Sequence, residues 1–287
     1  MFAPGRRSTH RFAARLGSGL TERGSEAEER RREEPRLRGP RTARSGAEGK
    51  LDTVHAVIAV KSLGLAKSRL SDRLPAHDRP RLVLAMLADT VTAAVATRGI
   101  ASVTVVTPDP TVSALVRDLG ARVHPEPEAV PAHISGLNAA LSAGAAAVRH
   151  AHGPVDLLAL QADLPALRAA ELCDMLTSTR HRRSVVADHE GSGTVALLVR
   201  GNAVDTRDSA LNPLFGPDSA RRHIADGAVE LLGDWPGLRQ DVDTAADLER
   251  AAALGVGKAT GALLHELGVS RACQATDNIR RADSSLC

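Results

Sequence analysis

The sequence predicts an α/β fold in which a mostly parallel sheet lies between layers of helices. Short apolar runs of five to seven residues recur along the chain, as expected of strands that are buried on both faces. Between them lie segments whose apolar residues repeat at helical spacing, and such alternation is typical of parallel sheets. With 287 residues, of which 43% are hydrophobic, the chain is long enough for a sizeable core.

The first half of the predicted domain alternates regularly between strand and helix. The run 54–60 (VHAVIAV) is a short, mostly β-branched strand, and apolar residues recur at helical spacing over 77–97. Later strands are predicted at 102–107, 121–123 and 156–160, and later helices at 111–119, 136–149 and 166–178.

The second half follows this alternation less strictly. The segments 184–187 and 194–199 are both strand-like and can pair antiparallel, which would make the sheet mixed. The remaining predicted elements are an extended segment at 228–232 and helices at 220–225, 245–254 and 259–267. We therefore expect one ordered domain over 54–269, followed by a polar tail over 270–287.

The positive charge of the chain lies in its first 50 residues. The formal net charge is +3, but residues 1–50 hold 12 Arg and Lys50 against 7 Glu, which leaves a net −3 for the rest of the chain. The apolar residues of 1–53 are not spaced regularly as in a helix or a strand, so we expect a disordered Arg-rich extension there. Such an extension can be an appended segment, the product of an upstream start codon or a nucleic-acid arm. A transit peptide fits less well, because such peptides avoid acidic residues and this segment has seven Glu.

Composition argues against several classes of protein. With no Tyr, one Trp and three Phe, the chain has almost no rings on which to stack bases, which argues against a nucleic-acid partner bound by aromatic stacking. No apolar run is long enough for a membrane span and no secretory signal follows Met1, so we expect a cytoplasmic protein with no membrane partner. Cys173, Cys273 and Cys287 are too widely spaced for a disulfide framework or a zinc site.

The first candidate site is the polar loop after the first strand. It carries Lys61, Lys67 and Arg69, and so half of the four lysines of the chain. Ligands of open α/β sheets bind outside the carboxyl ends of the strands, and fixed cations at that place suit a polyphosphate. Neither the Gly-x4-Gly-Lys spacing of a Walker loop nor a dinucleotide fingerprint is present. An ordinary solvated loop is the alternative interpretation.

Three aspartates form a second candidate site. Asp163 follows the apolar strand at 156–160, and Asp241 and Asp243 point the same way if their segment is extended. Carboxylates on one side repel unless a cation lies between them, and Mg²⁺ takes one or two carboxylates together with substrate phosphates. The alternative is that Asp163, and Asp243 or Thr244, only cap the helices that follow.

Two further turns carry small polar residues. These are 191–194 (GSGT) and 215–223 (FGPDSARRH), of which the second leads into a helix N-terminus, where free N–H groups favour a phosphate or carboxylate. A helix capped by Asp218 or Ser219 is the alternative. The eleven histidines show no metal-ligand spacing and no nucleophile motif appears, so a phosphate–metal site fits the sequence better than covalent catalysis.

In combination and in order, these motifs resemble those of the CofC/FbiD guanylyltransferases of coenzyme F420 biosynthesis, above all the actinobacterial branch. Each motif alone is weak, but the set is specific and spans about 54–258. The matching segments are 59–70, 136–141, 160–167, 193–194, 212–223, 235–239 and 241–244.

The resemblance implies a single nucleotide-diphospho-sugar-transferase-like, Rossmann-like domain with a mixed, mostly parallel sheet. It implies transfer of GMP from GTP to a phosphorylated three-carbon acid, with Mg²⁺ as cofactor and diphosphate as the second product. In the actinobacterial branch the acid is phosphoenolpyruvate and the product is enolpyruvoyl-2-diphospho-5′-guanosine, whereas in archaeal members it is taken to be 2-phospho-L-lactate. Because the enolpyruvoyl product is expected to be labile, we expect functional coupling to the downstream transferase of the pathway.

The resemblance also implies a role for each matching site residue, by its position in the motifs. The expected acceptor-binding residues are Thr194, Gly216 and Ser219, and the expected magnesium ligands are Asp163, Asp241 and Asp243. The expected nucleotide-binding residues are Lys61, Lys67, Arg69, Gly136 and Asn138, and those expected to be catalytic are Asp163, Lys67 and Arg69.

The chain departs from the family pattern in 1–50, beyond about 270, and at 200–208, which is longer than the family needs. The last segment lies between two acceptor-binding elements, so 2-phospho-L-lactate and 3-phosphoglycerate stay open as alternative acceptors. A molybdenum-cofactor guanylyltransferase would need a Gly-rich opening loop, which is missing here. An inactive nucleotide-binding or scaffold protein is the alternative of another class, and the presence of all three carboxylates argues against it.

Overall fold

The computed structural model describes residues 54–61, 63, 70–71, 73–130, 132, 134–201 and 210–268. These residues form seven strands and eight helices. The strands are β1 (Val54–Ala59), β2 (Ile100–Val106), β3 (Arg122–His124), β4 (Asp156–Leu160), β5 (Arg183–Ala187), β6 (Thr194–Val199) and β7 (Val229–Glu230). The helices are α1 (Asp78–Ala96), α2 (Pro110–Asp118), α3 (Gly136–His152), α4 (Ala169–Ser178), α5 (Ser219–Ala225), α6 (Pro236–Arg239), α7 (Ala245–Leu254) and α8 (Lys258–Glu266).

The strands form one sheet in the order β3-β2-β1-β4-β6-β5-β7. β1 is parallel to β2 and β4, β2 is parallel to β3, and β5 is parallel to β7. β6 is antiparallel to both of its neighbours, β4 and β5. The predicted mixed, mostly parallel sheet is therefore confirmed, and so is the antiparallel pairing of the two strand-like segments in the second half.

Hydrophobic clusters lie on both faces of the sheet. Successive strand residues point to opposite faces, so Ile58 and Leu158 join one cluster while Val57 and Ala159 join the other. Helices α1, α2 and α4 contribute to the first cluster and α3 to the second. Because the central strands are buried on both faces, they need apolar residues at successive positions, and this is the pattern that the sequence shows.

A third cluster joins the C-terminal helices to α1. Leu82 and Met86 of α1 share it with Leu248 of α7 and Leu263 of α8. Asp89 of α1 also accepts hydrogen bonds from the first N–H groups of α8, those of residues 259 and 260, at 2.9 and 2.8 Å. The segment that precedes α7, which carries two of the candidate metal ligands, is thus attached to a helix that is itself packed on the core.

The observed elements differ most from the predicted ones in three places. Helix α4 begins at Ala169 and not at residue 166, because the Leu167 N–H bonds to the Leu164 carbonyl in a turn that precedes the helix. The extended segment 228–232 contains only the two-residue strand β7. The four-residue helix α6 was not predicted, since one turn is too short to show an apolar period.

The described residues end inside the predicted boundaries of the domain. The predicted extension 1–53, the tail 270–287, and Lys67 and Arg69 of the first loop lie outside them. None of the described helices is long and apolar enough to cross a membrane.

Helix α3 packs closely on the sheet at Gly144. A Cβ atom at this position would lie 2.6 Å from Val106 Cγ2 and 2.7 Å from Val57 Cγ1. Valine is stiff about χ1, so neither methyl group can swing away at low cost. Glycine at this position therefore allows the helix to approach β1 and β2, and the approach places the N-terminus of α3 beside the end of β1.

We predict that Gly144→Ala destabilises the protein. Overpacking of about 1–3 kcal/mol should exceed the gain in helix propensity of about 1 kcal/mol. The matched control is Gly261→Ala in α8, where a Cβ would meet only Val256 Cγ2 at 3.8 Å, and it should be neutral or slightly stabilising. Denaturant unfolding of both variants measures the difference, and equal stabilities would contradict the close packing of α3.

Candidate active site

The candidate site residues follow strand ends at one edge of the sheet. Lys61 comes two residues after β1, and Asp163 three residues after β4. Thr194 begins β6, which runs in the opposite direction, so this residue lies at the same edge. The Gln161 N–H bonds to the Val195 carbonyl at 2.9 Å, which extends the β4–β6 pairing to the edge itself. The fold thus brings three motifs together that are up to 133 residues apart.

The Lys61 side chain lies beside the first turn of α3. A Cβ atom at Gly136, the first residue of the helix, would be 3.0 Å from Lys61 Nζ. The Ser135 side chain caps the helix by accepting a hydrogen bond from the Asn138 N–H at 3.2 Å. An ammonium group next to the positive end of a 17-residue helix makes this place favourable for an anion. This geometry agrees with the predicted contact of Lys61 and Gly136 with nucleotide phosphates, which stays a prediction.

The aspartate motifs lie side by side. The Val242 N–H donates to the Asp163 carbonyl oxygen at 3.2 Å. Val242 is fully buried, whereas its neighbours Asp241 and Asp243 are half-buried and exposed, respectively. The backbone therefore brings Asp163 next to the Asp241–Asp243 segment, as a shared site requires.

None of the three candidate aspartates is a helix cap. The N-cap of α4 is Arg168, which lies five residues after Asp163. Helix α7 is capped by Thr244, whose side chain accepts a hydrogen bond from the Asp247 N–H in a capping box. The alternative that Asp163 only caps a helix is therefore wrong, whereas the alternative that Asp243 or Thr244 caps the next helix is confirmed, with Thr244 as the cap.

Asp247 holds the second aspartate motif in place. Its carboxylate accepts hydrogen bonds from the N–H groups of Asp243 and Thr244 at 3.1 and 2.7 Å and from the Thr244 hydroxyl at 2.7 Å. Burial alone would raise the pKa of Asp247, but the hydrogen bonds from Thr244 and Asp243 and the nearby Arg250 hold it below its ordinary value. Asp247 therefore stays ionised and fixes the backbone of the candidate ligand segment.

The donor set suits magnesium by its chemistry, since carboxylate oxygens are the ligands that Mg²⁺ prefers. Among the described residues, no three His, Cys, Asp or Glu side chains are grouped so that they could hold a metal ion by themselves. Mg²⁺ usually completes its shell with substrate phosphates and water, so one or two of the three aspartates would be enough. The magnesium site stays a prediction.

The turn before β6 is held by Asp188, which the sequence analysis missed. Its carboxylate accepts hydrogen bonds from the N–H groups of Ser192 and Gly193 at 3.0 and 2.8 Å. The Ser192 carbonyl in turn accepts a hydrogen bond from the Ala220 N–H in the first turn of α5, at 3.2 Å. The two predicted acceptor-binding turns are therefore in direct contact.

Helix α5 begins without a side-chain cap. Asp218 occupies the N-cap position with a left-handed φ of 52°, and its side chain makes no capping hydrogen bond. Gly216 has a φ of +125°, which favours glycine, and a Cβ there would lie 3.1 Å from a guanidinium nitrogen of Arg222. Ser219 is buried at the start of the helix. The expectation that Asp218 caps the helix through its side chain is wrong, and a cation lies beside the Gly216 backbone.

His223, within α5, connects the elements that are predicted to bind the acceptor. Its Nδ1 lies 3.0 Å from Thr194 Oγ1, and its Nε2 accepts a hydrogen bond from the Leu214 N–H at 2.9 Å. Burial, with a smaller contribution from Arg183, lowers the pKa of His223 to about 4. The imidazole is therefore neutral near pH 7. The sequence analysis placed His223 in the motif but gave it no role, because its partners are distant in sequence.

Asn138 holds the loop before α5 against α3. Its amide nitrogen donates to the Phe215 carbonyl at 3.1 Å, and its amide oxygen accepts from the Phe215 N–H at 2.9 Å. Asn138 is buried. Its predicted contact with the nucleotide stays a prediction; in this structure its amide connects α3 to the loop before α5.

Comparison with known proteins agrees with this geometry. The family model described as "Guanylyl transferase CofC like" matches residues 54–284. The chain belongs to the guanylyl transferase CofC-like family. It is 62% identical over 229 residues to a phosphoenolpyruvate guanylyltransferase of Nocardia farcinica (strain IFM 10152), covering 79% of this chain and 97% of that relative. It is 52% identical over 223 residues to the enzyme of the same name from Rhodococcus erythropolis (strain PR4 / NBRC 100887), covering 75% and 96%.

The CofC-like chain also shares its fold with a solved structure. A protein from Desulfovibrio desulfuricans G20, described as a nucleotide-diphospho-sugar transferase, superposes with a TM-score of 0.57 at 13% identity, covering 75% of this chain and 95% of that one. The expected nucleotide-diphospho-sugar-transferase-like fold is therefore confirmed.

We predict that Asn138→Ala destabilises the CofC-like domain by about 2–4 kcal/mol, because it leaves the N–H and carbonyl of Phe215 unsatisfied at about 1–3 kcal/mol each. The control is Ser142→Ala on the exposed side of the same helix, which should change the free energy of unfolding by less than about 0.5 kcal/mol. Chemical denaturation measures both. A loss no larger than that of the control would show that Asn138 does not hold the loop.

Proposed function

We propose that this chain transfers GMP from GTP to phosphoenolpyruvate, giving enolpyruvoyl-2-diphospho-5′-guanosine and diphosphate. The observation that carries the proposal is the meeting of the Thr194, Gly216 and Ser219 elements beside β6, next to Asp163 after β4 and two strands from Lys61 after β1. The relatives at 62% and 52% identity, which are named phosphoenolpyruvate guanylyltransferases and are covered almost completely, support the same assignment. A cytoplasmic location belongs to the same proposal.

The reaction needs charge neutralisation more than it needs a base. A phosphate oxygen of the acceptor attacks the α-phosphorus of GTP in line, the new P–O bond forms, and the bond to the β-phosphate oxygen breaks with its electron pair leaving on diphosphate. The acceptor phosphate is already largely ionised near pH 7, so no side chain has to remove a proton. The difficulty is to bring one anion to another and to hold both in line.

The cationic side of the site would bind the leaving group. Lys61 and the N-terminus of α3 lie together beside the end of β1, where they would stabilise the charge that develops on diphosphate. Lys67 and Arg69, in the same loop by sequence, would add to this charge. The nucleotide phosphates would therefore bind between the end of β1 and the N-terminus of α3.

The carboxylate side of the site would hold the metal. Asp163, Asp241 and Asp243 would supply the carboxylates, one or two of which would hold Mg²⁺ together with substrate phosphates. When bound, the ion neutralises phosphate charge and orients the reacting oxygens. Asp247 keeps the backbone of the second motif fixed through the Asp243 and Thr244 N–H groups.

The coupling of a labile product to the downstream transferase of the pathway is part of the same proposal.

The assay that tests the function supplies GTP, Mg²⁺ and one acid at a time, and includes the downstream transferase with its deazaflavin acceptor to trap a labile product. Diphosphate release with phosphoenolpyruvate is the expected result. Activity with 2-phospho-L-lactate or 3-phosphoglycerate but none with phosphoenolpyruvate would overturn the proposed acceptor. Failure with every acid would overturn the guanylyltransferase assignment itself.

We predict that Asp163→Asn lowers kcat by at least about 100-fold, since even partners outside the metal's ligand shell are worth about 10–100-fold. The KM for phosphoenolpyruvate should change much less, because Asp163 is assigned to the metal and not to the acceptor. The control is Asp118→Asn at the exposed C-terminal end of α2, which should leave kcat unchanged. Near-normal turnover of Asp163→Asn would remove Asp163 from the metal site.

A further inference from the structure

His223 is in contact with every element that is expected to bind the acceptor. It is fully buried and lies within α5, four residues after Ser219. One ring nitrogen reaches Thr194 at the start of β6, and the other reaches the N–H of Leu214, two residues before Gly216. The Phe215 ring packs edge-on against the imidazole, with 5.3 Å between ring centroids. A single side chain therefore holds the three elements together.

The hydrogen bonds determine which ring nitrogen carries the proton. The Leu214 N–H can only donate, so the Nε2 atom that it contacts must accept and bears no hydrogen. A neutral imidazole then carries its hydrogen on Nδ1. The nitrogen that faces Thr194 Oγ1 at 3.0 Å thus carries the hydrogen, which Thr194 shares with the Ser219 backbone as second acceptor. Toward this nitrogen the threonine oxygen can only accept.

This assignment also directs the Thr194 hydroxyl. A hydroxyl group has one hydrogen to donate and two lone pairs that accept. Because Nδ1–H occupies a lone pair, the hydroxyl hydrogen of Thr194 points elsewhere, and His223 is its only hydrogen-bonding partner among the residues that the structure describes. Thr194 is itself buried, with 2% of its surface exposed, so its hydroxyl hydrogen would reach only an anionic oxygen that binds directly against the start of β6, where the acceptor phosphate or carboxylate would lie.

We propose that His223 is a positioning residue for the acceptor: by donating from Nδ1 it makes Thr194 a hydrogen-bond donor toward the acceptor anion, and by accepting at Nε2 it fixes the loop that carries Gly216. This inference rests on the proposed function and extends it to a residue that does not touch the substrate. If His223 were doubly protonated, Nε2–H would face the Leu214 N–H and the loop would be displaced.

The surroundings of the ring favour the neutral form. Burial is the main cause of the lowered pKa of His223, and Arg183 of β5 and Arg222 of α5 lower it further by their positive charges. The hydrogen bond to the Ser219 backbone and the negative charge of Asp226 act in the opposite direction and are outweighed. The state that orients Thr194 is thus maintained throughout the neutral pH range.

The experiment compares His223→Leu, His223→Gln and Thr194→Val with the wild type in steady-state kinetics on GTP and phosphoenolpyruvate. His223→Leu should raise the KM for phosphoenolpyruvate about 10-fold or more, the effect of losing an oriented hydrogen bond to an anion, and change the KM for GTP less than about twofold. His223→Gln retains one donor and one acceptor and should recover part of the loss. His265→Leu, at an exposed position in α8, is the control.

The double variant distinguishes positioning from a general loss of structure. In the Thr194→Val background there is no hydroxyl to orient, so His223→Leu should raise the KM for phosphoenolpyruvate by less than about threefold. Equal effects of His223→Leu with and without Thr194, or equal increases in the KM values of GTP and phosphoenolpyruvate, would overturn the inference. A wild-type enzyme that is inactive with phosphoenolpyruvate would instead overturn the proposed function.

A second readout is the pH dependence of the free energy of unfolding. A histidine with a pKa of about 4 in the folded state and about 6.5 in the unfolded chain binds more protons when unfolded. Its contribution to stability is therefore complete above about pH 6.5 and falls as the pH decreases toward 4. His223→Gln should flatten this part of the curve relative to His265→Leu. An unchanged slope would show that His223 is not held in its neutral form.

Discussion

The reversed direction of β6 is the constraint on which the site depends. In a fully parallel sheet, the first residue of this strand would lie at the opposite edge from the residues that follow β1 and β4. Because β6 is antiparallel to β4 and β5, Thr194 lies beside the end of β4, next to the Asp163 turn. The carboxyl edge of the sheet can then receive ligands from both kinds of strand end, and α5 packs near the same edge through the Ala220–Ser192 hydrogen bond.

Charge is divided along this edge in a way that suits two anionic substrates. Lys61 and the α3 N-terminus lie beside β1, and the aspartate motifs lie beside β4. The hydrogen-bonding elements of Thr194, Gly216 and Ser219 lie beside β6 and α5, with Arg222 next to Gly216. The net charge of the whole chain, +3, shows none of this, since residues 1–50 carry +6 and the remainder −3. It is the position of a few charges near the strand ends that indicates a phosphate-transfer site.

The fold and the site motifs could be predicted because they depend on local patterns. Buried strands such as β1 and β4 are apolar at successive positions, and the motifs that follow them are contiguous in sequence. The hydrogen bonds that assemble the site could not be predicted, because they join residues far apart: Asn138 and Phe215 are 77 positions apart, and Thr194 and His223 are 29 apart. Asp163 and Asp243 were ambiguous for a related reason, since an aspartate before a helix has the same local pattern whether it caps the helix or binds a metal.

The division of the edge into a nucleotide side and an acceptor side is tested most directly by comparing Lys61→Gln with Thr194→Val. The KM values for GTP and phosphoenolpyruvate are measured for both variants under the same conditions. We expect Lys61→Gln to raise the KM for GTP about 10-fold, the effect of losing a charged hydrogen bond, and Thr194→Val to raise that for phosphoenolpyruvate by a similar factor. Each variant should leave the other KM nearly unchanged. If both substitutions raised the KM of the same substrate, the two substrates would not be bound on separate sides of this edge.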